Sequence, residues 1–527
     1  MASERDPLLD ATQTDSSSQE DASGESFDNV PKNKRQLGLF SAMVLIFNRV
    51  VGTGIYATPS AILRASGSVG IALIMWVMGA LIAAAGTAVF VELGTGLPRN
   101  GGEKNYLEYM FRRPPFLTTC IYAAYTIVIG TSVANGIVFG EYTLHALGVE
   151  LTHFNTCLVA YVCLTFIVLI HGTRLQFGLQ LQNTLGLLKL IVLSAIALCG
   201  LFSLAGVPWF EVKGEYNQPD NFKWDKFWEG SRYDANSFVS GLYDVIWSFI
   251  GYSNANYALS EVRDPVKTIK RAAPLAMATV SMVYLFINIG YFAVVSKADV
   301  LESKRIIAAL FFRNLFGETT ERVLSAFVAL STLGNLLSVQ FTMGRVIQEL
   351  GREGLLPFSS FFASNKPFDA PLAGLFSQYV VSCLFMILPP PGDAYVFMIT
   401  LSSYATSLVN LAVSLGLLLL YTSAYRTWGW NPPFRAYRVV VVTFVVSNVF
   451  LVIVPFIPPA PNAKTYDHLP YWSHLVTAFG LSLVGFVYWY SKIVWIPRQH
   501  GYRIRRELIA QDDGVSRFVL RKEVLSE

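Results

Sequence analysis

The stretch LFSAMVLIFNRVVGTGIYATPSAIL, residues 39–63, decides the fold. It is apolar over more than the roughly 20 residues that a helix needs to cross a bilayer. Yet Gly52, Thr53 and Gly54 stand in its middle, with Pro59 behind them. Glycine costs about 1 kcal/mol in a helix interior, and a β-branched residue between two of them adds to the strain. The pattern predicts local unwinding. Unwound backbone is tolerated at membrane depth only where protein or a watery cavity surrounds it. Its N–H groups, together with the positive end of the half-helix that follows, suit a carboxylate. The alternative reading is a small-residue packing face, although the spacing here is GxG and not GxxxG.

A second segment answers the first. Residues 237–265 read SFVSGLYDVIWSFIGYSNANYALSEVRDP, and Gly251, Tyr252, Ser253 and Asn254 interrupt the apolar run. Carbonyls freed at such a break accept hydrogen bonds from an ammonium group. Two facing breaks, one offering N–H and the other C=O, form a receptor for a zwitterion, which is what an α-amino acid is. Interrupted segments in matching positions of two halves are the sequence pointer to an inverted-repeat transporter and its binding site.

The rest of the chain agrees with a membrane setting. Of 527 residues, 53% are hydrophobic and only 14% charged, against about 25% charged in soluble proteins. About twelve spans are expected, near 39–63, 69–93, 115–147, 154–171, 177–205, 237–261, 272–297, 320–348, 371–389, 393–421, 436–457 and 470–495. The fold class is therefore an all-α polytopic membrane protein. Spans one to five (residues 37–205) form the first repeat and spans six to ten (237–425) the second, joined by a loop at 206–236. Spans eleven and twelve occupy 426–497.

Basic residues follow every even-numbered span, from Arg99 and Lys104 to Arg503 and Arg505, whereas the loops after spans three and nine have no Lys or Arg. By the positive-inside rule both termini are cytosolic. Residues 1–36 are polar and form a disordered tail, and 498–527 a second cytosolic tail. Glu4 precedes Leu8 and Leu9 at the spacing of an acidic dileucine sorting signal. The plasma membrane is the default destination, and that motif leaves the vacuolar membrane open.

The wording of three blocks resembles a known family. GTGIYATPSAILRASGSVGIALIMWVMGALIAAAGTAVFVELGTGLPRNGGEKNYLEY from Gly52, ELGTGLPRNGG after span two, and EVRDPVKTIKRAAPLA after span six are similar to the L-type amino-acid transporters of the amino acid–polyamine–organocation superfamily. The resemblance covers roughly residues 37–425 and is greatest to the fungal branch that includes methionine permeases. It implies the LeuT-type 5+5 fold with spans one and six broken, and alternating access. It implies that the substrate carboxylate meets the N–H groups of Thr53, Gly54 and Ile55. The amino group would meet carbonyls near Val51 and of Trp247 and Ile250, with Gly52, Gly251 and Ser253 in the same two breaks. Trp247 would close over the substrate as an outer gate. The family has two glycines before the next aromatic, but the first of them is Ile250 here, which narrows the pocket beside the substrate.

Thr131 and Asn135 in span three, and Thr406 and Ser407 in span ten, are further lining candidates, with interhelical bonding as their plain alternative. Lys189 lies within span five, where a charge costs about 2.5–3.5 kcal/mol near the bilayer centre. It either snorkels to the cytosolic face or, as the resemblance implies, stands in the place of the sodium ion of sodium-coupled relatives. The second reading predicts sodium-independent uptake, with proton coupling through a buried amine. Arg49, one turn before the first break, and Glu261, at the end of span six, are candidates for an inner gate, with Glu261 capping the basic loop that follows as the alternative. Residues 299–317 are expected to lie as an amphipathic helix over the outer entrance or to pack at the interface.

The function expected is import of neutral L-amino acids, with methionine the leading substrate through the resemblance. A non-transporting amino-acid receptor on the same fold is the alternative. No catalytic fingerprint is present, so no enzyme is expected. Nor is a cofactor, a metal site or a nucleic-acid partner, since 40 Lys+Arg against 36 Asp+Glu give a balanced charge. The partners expected are the amino-acid substrate and the bilayer. Heteromeric animal relatives join a heavy subunit through a cysteine after span three. That loop here offers only Cys157, at the start of span four, so no disulfide-linked heavy subunit is expected.

Overall fold

A computed structural model describes residues 38–98, 101–253, 256, 259, 262–366, 368, 370–423, 429–459, 465–510 and 516–524. Within them ten helical stretches are long and apolar enough to cross a membrane. They are Leu39–Ala57, Val69–Gly96, Leu117–Leu147, His153–Thr173, Leu175–Leu204, Pro265–Val294, Glu318–Arg352, Ala394–Leu420, Arg438–Phe456 and Ser473–Gln499. They correspond to expected spans one to five, seven, eight, and ten to twelve. The two remaining expected spans are short. Span six contributes the helix Ala235–Phe249 before its break, and span nine is Leu372–Ile387. At 1.5 Å per residue, 16 residues reach only about 24 Å.

Span five shows why these helices lack the one-sided pattern of a soluble protein. Lys189, Leu193 and Ile196 are buried while Leu187, Ile191 and Leu198 are exposed. The outward face is as apolar as the inward one, as lipid-facing helices require. Two buried carboxylates are turned inward and bonded. Glu92 of span two, fully buried, accepts hydrogen bonds from Trp430 Nε1 at 3.0 Å and the Ala436 N–H at 2.8 Å, and from the Tyr421 hydroxyl. One carboxylate thereby anchors the entry into span eleven. Asp393 accepts the N–H groups of Asp467, His468 and Leu469 at 2.8–2.9 Å and ties span ten to the loop before span twelve.

Three features differ from the sequence expectation. Span three is itself interrupted, ending as Leu117–Ile129 and resuming as Val133–Leu147. The single amphipathic helix expected at 299–317 is two helices, Lys297–Glu302 and Ile307–Phe316, with Ile307, Phe311, Phe312 and Leu315 buried. The C-terminal segment, expected as a plain tail, carries a hairpin beside the all-α spans. Strands β1 (Tyr502–Ala510) and β2 (Ser516–Val524) pair antiparallel, Tyr502 opposite Val524. The Leu520 N–H of this hairpin donates to the Glu353 carbonyl at 3.0 Å, seating it against the end of span eight. The expected tail at 1–36, including the dileucine-like motif, lies outside the described residues.

Candidate functional site in the two helix breaks

Span one runs as a helix from Leu39 to Val50, opens at 51–53, and resumes at Gly54–Ala57 and Pro59–Ser66. Val51 is extended, with φ −74° and ψ 96°. Its break is at the glycine pair. The last carbonyls of a helix have no partner within it, and span five supplies one. Lys189 Nζ donates to the Val51 carbonyl at 2.6 Å and the Asn48 carbonyl at 3.3 Å. The side chain is 2% exposed. Lys189 therefore does not snorkel but reaches into the unwound turn, with Arg49 as a like-charged neighbour.

Span six ends its first half at Phe249, and the chain leaves through Ile250 and Gly251. Gly251 has φ +123°, a conformation that L side chains rarely adopt, and a Cβ there would lie 2.8 Å from Arg49 Cγ and 3.2 Å from the Val50 nitrogen. The turn thus requires glycine twice over, by conformation and by approach. Gly54 makes the matching contact from the other side. A Cβ on it would lie 2.3 Å from Ser248 Oγ and 2.9 Å from Ser248 Cα. The two breaks are in contact, 190 or more residues apart in sequence.

The polar groups at the two breaks are partnered differently. Among the described residues, no backbone acceptor pairs with the N–H groups of Thr53, Gly54 and Ile55. The Thr53 hydroxyl donates to Asn135 Oδ1, which brings span three to the site. On the span-six side the Ile250 N–H donates to the Trp247 carbonyl at 3.2 Å, and the Ser253 hydroxyl donates to Glu103 Oε1 at 2.7 Å. The Trp247 carbonyl is thus already an acceptor within its own turn.

Not every expected lining residue is tied to this place. Thr131 sits in the break of span three, but its neighbours turn elsewhere: Ser132 Oγ donates to Gln340 and the Ser132 N–H to Ser382 Oγ. In span ten Ser407 bonds back to the Ser403 carbonyl of its own helix. Thr406 keeps a buried hydroxyl with no partner among the described residues. The span-ten residue that touches the break is Asn410, whose Nδ2 donates to the Tyr252 hydroxyl at 3.0 Å. The stem of Arg49 packs on Gly251, whereas Glu261, its expected gate partner, lies outside the described residues.

Two further clusters of side chains adjoin the breaks. Toward the loops after odd-numbered spans, Trp247 meets Tyr395 edge-on at 6.3 Å, and the Arg305 guanidinium lies 4.8 Å over the Tyr395 ring. Arg305 also forks onto Glu141 of span three, with Nε 2.9 and 2.7 Å from the two carboxylate oxygens. Beyond this layer opens a cavity of about 510 Å³, lined among others by His153, Thr156, Glu302 and Leu310. Toward the opposite end, Lys104 on the helix Glu103–Met110 pairs with Glu108 at 3.3 Å and with Glu353 at the end of span eight. The Arg305–Glu141 and Lys104–Glu353 pairs were not visible in the sequence, since each joins residues far apart in the chain.

A bundle of spanning helices that sets two unwound segments face to face is the architecture of a small-molecule permease. The chain belongs to the amino acid permease family, whose sequence model matches residues 37–480. It is 44% identical over 498 residues to the high-affinity methionine permease of Saccharomyces cerevisiae, covering 93% of this chain and 85% of that protein. It is 30% identical to the low-affinity methionine permease of the same yeast, covering 93% and 88%. The human b(0,+)-type amino acid transporter 1 is 26% identical over 83% of this chain and 85% of its own length. These relatives are permeases and transporters, not enzymes. The chain is a multi-pass membrane protein and an amino-acid transporter.

Proposed function

We propose that this chain imports neutral L-amino acids, methionine first among them, by alternating access and without sodium. The observation that carries the reading is the pairing of Lys189 with the Val51 and Asn48 carbonyls. An amine donor already serves the unwound turn where a bound metal cation would otherwise compensate those oxygens. The identity of 44% to a methionine permease supports the substrate, and Trp247, Ile250 and Tyr252 offer the polarisable apolar surface that suits a thioether. The substrate's carboxylate meets Thr53, Gly54 and Ile55; its ammonium meets the carbonyls of the span-six break, while Trp247 closes above it. A buried amine that exchanges protons is the means of coupling to an inward proton gradient.

The chain acts alone in this reading. Cys157, the cysteine nearest the loop after span three, is buried within the helix His153–Thr173 and is a free thiol, which leaves it poorly placed for a partner's disulfide. Both termini are cytosolic and the plasma membrane is the site of action.

The test is uptake of labelled methionine into proteoliposomes holding the purified chain, with and without an inward proton gradient, with sodium exchanged for choline, and with competition by a panel of amino acids. Gradient-stimulated, sodium-indifferent uptake blocked by neutral amino acids is the expected result. Saturable binding without uptake under any condition would make the chain a receptor instead, and sodium-dependent uptake would overturn the role given to Lys189.

A further inference from the structure

The first half of span six, Ala235–Phe249, carries a single acidic residue, Asp244. From Val239 onward the half-buried positions of this helix are Ser240, Asp244 and Trp247, and every other position is buried. Spacings of four and three place them on one helical face, and Gly251, half-buried in the break, continues the row. Trp247 meets Tyr395 of span ten edge-on at 6.3 Å, so this face looks into the bundle, beside the Tyr395–Arg305–Glu141 cluster. Tyr395 is also an electrostatic neighbour of Asp244. Yet among the described residues the Asp244 carboxylate takes part in no hydrogen bond or ion pair. The buried Tyr395 hydroxyl likewise has no hydrogen-bond partner among them.

The titratable and charged groups on the elements packed against this half-helix leave Asp244 uncompensated. In span one, Arg64 donates to the Leu301 carbonyl at 2.8 Å and the Tyr56 hydroxyl pairs with Ser331. In span two, Glu92 is bonded to Trp430 and Ala436. In span ten, Tyr404 packs on His474, and Asp393 holds the loop before span twelve. On the same half-helix, Tyr243 donates to the Leu451 carbonyl. Arg305, beyond Tyr395, is forked onto Glu141. An ionised carboxylate at membrane depth is costly unless a cation or a proton compensates it, and such residues mark ion and proton pathways. We propose that Asp244 is a proton site on the transport path, a second titratable group beside Lys189 that gains and loses one proton in each cycle. The inference rests on reading uptake as proton-coupled. Lys189 is tied to the Val51 and Asn48 carbonyls, so its protons also hold the unwound turn. Asp244 holds nothing, so a proton joins or leaves it without breaking a bond of the fold. The step is a plain proton transfer. A hydronium ion outside gives its proton to the carboxylate and leaves as water, and the carboxylic acid gives that proton to water inside once the path opens there.

The parent, Asp244→Asn, Asp244→Ser and Asp244→Glu are compared in proteoliposomes made from the monodisperse fraction of each. Exchange of labelled for internal methionine needs no net proton movement, whereas accumulation under an imposed inward gradient does. A gradient of about one pH unit supports roughly tenfold accumulation per coupled proton. The parent and Asp244→Glu, which keeps the carboxyl, are expected to approach that figure and to acidify the interior, read by a trapped pH dye, when methionine is added. Asp244→Asn and Asp244→Ser are expected to exchange methionine but to lose both the accumulation and the acidification. The two neutral variants differ in size, so if one fails to fold the other still decides. Neutral variants that accumulate methionine as the parent does overturn the role of Asp244 alone. Neutral variants that lose exchange as well also overturn it, because the carboxyl would then serve the fold or the substrate and not the proton. A parent indifferent to the gradient removes proton coupling itself, and Asp244 with it.

Discussion

Replacing Lys189 with methionine removes the charge and both hydrogen bonds while keeping an unbranched side chain of similar length. The magnitude follows from the geometry. The 2.6 Å contact to the Val51 carbonyl is a strong charge-assisted bond and the 3.3 Å contact to the Asn48 carbonyl a weak one. Bonds to charged groups are worth roughly 1.5–3 kcal/mol, so the pair contributes about 2–4 kcal/mol to holding the unwound turn. If that turn must keep its shape for the carboxylate to meet Thr53, Gly54 and Ile55, the same energy is lost from the transition state for transport. At about 1.4 kcal/mol per factor of ten, kcat/KM for methionine falls roughly 30- to 1,000-fold. Initial rates in proteoliposomes at a series of methionine concentrations measure it, beside size-exclusion profiles that show the variant intact. An Lys189→Met protein that folds and transports within threefold of the parent would refute the reasoning, because the turn would then keep its shape without its donor.

Three further outcomes are expected. Glu141 and Arg305 are largely buried against each other, so neutralising either alone lowers uptake tenfold or more, and Glu141→Arg with Arg305→Glu recovers part of it; strictly additive losses in the double-mutant cycle would show that the pair is not a unit. Gly54→Ala abolishes uptake, and Ser248→Ala does not rescue it, because Ser248 Cα stays 2.9 Å from the new Cβ whatever the side chain; rescue would mean that the breaks can part. Burial raises the Glu353 carboxyl above its usual range, with Lys104 opposing. Such a group is favoured protonated in the fold, so its contribution to stability is fully present below the ordinary value of about 4.3 and is lost as pH rises through the raised one. Glu353→Gln should flatten that part of the profile of unfolding midpoint against pH, and an unchanged slope would remove Glu353 from it.

The spans were legible because the bilayer fixes the length of an apolar run. Leu175–Leu204 begins two residues before the expected 177, and Val69–Gly96 starts where the sequence placed it. The break in span one was legible for a local reason, since Gly52 and Gly54 carry their own helix cost. Span three carried the same kind of signal in Gly130, Thr131 and Ser132, weaker because only one glycine is involved. The hairpin was also written locally, in the alternation of Tyr502, Ile504, Leu508 and of Phe518 and Leu520, but short amphipathic strands after a basic segment read as a tail. What could not be read was everything that depends on approach. Asn410 and the Glu141–Arg305 pair lie 158 to 164 residues from the groups they touch. No spacing rule connects residues that meet only once the helices have packed.

The central claim is that the two breaks grip the two ends of one amino acid. Competition for labelled methionine binding by methioninol, which lacks the carboxylate, and by N-acetylmethionine, which lacks the ammonium, tests it most directly. The account predicts that both analogues, with the side chain intact, compete at least tenfold more weakly than methionine itself. Either analogue competing as well as methionine would contradict it, since one of the two breaks would then have nothing to bind.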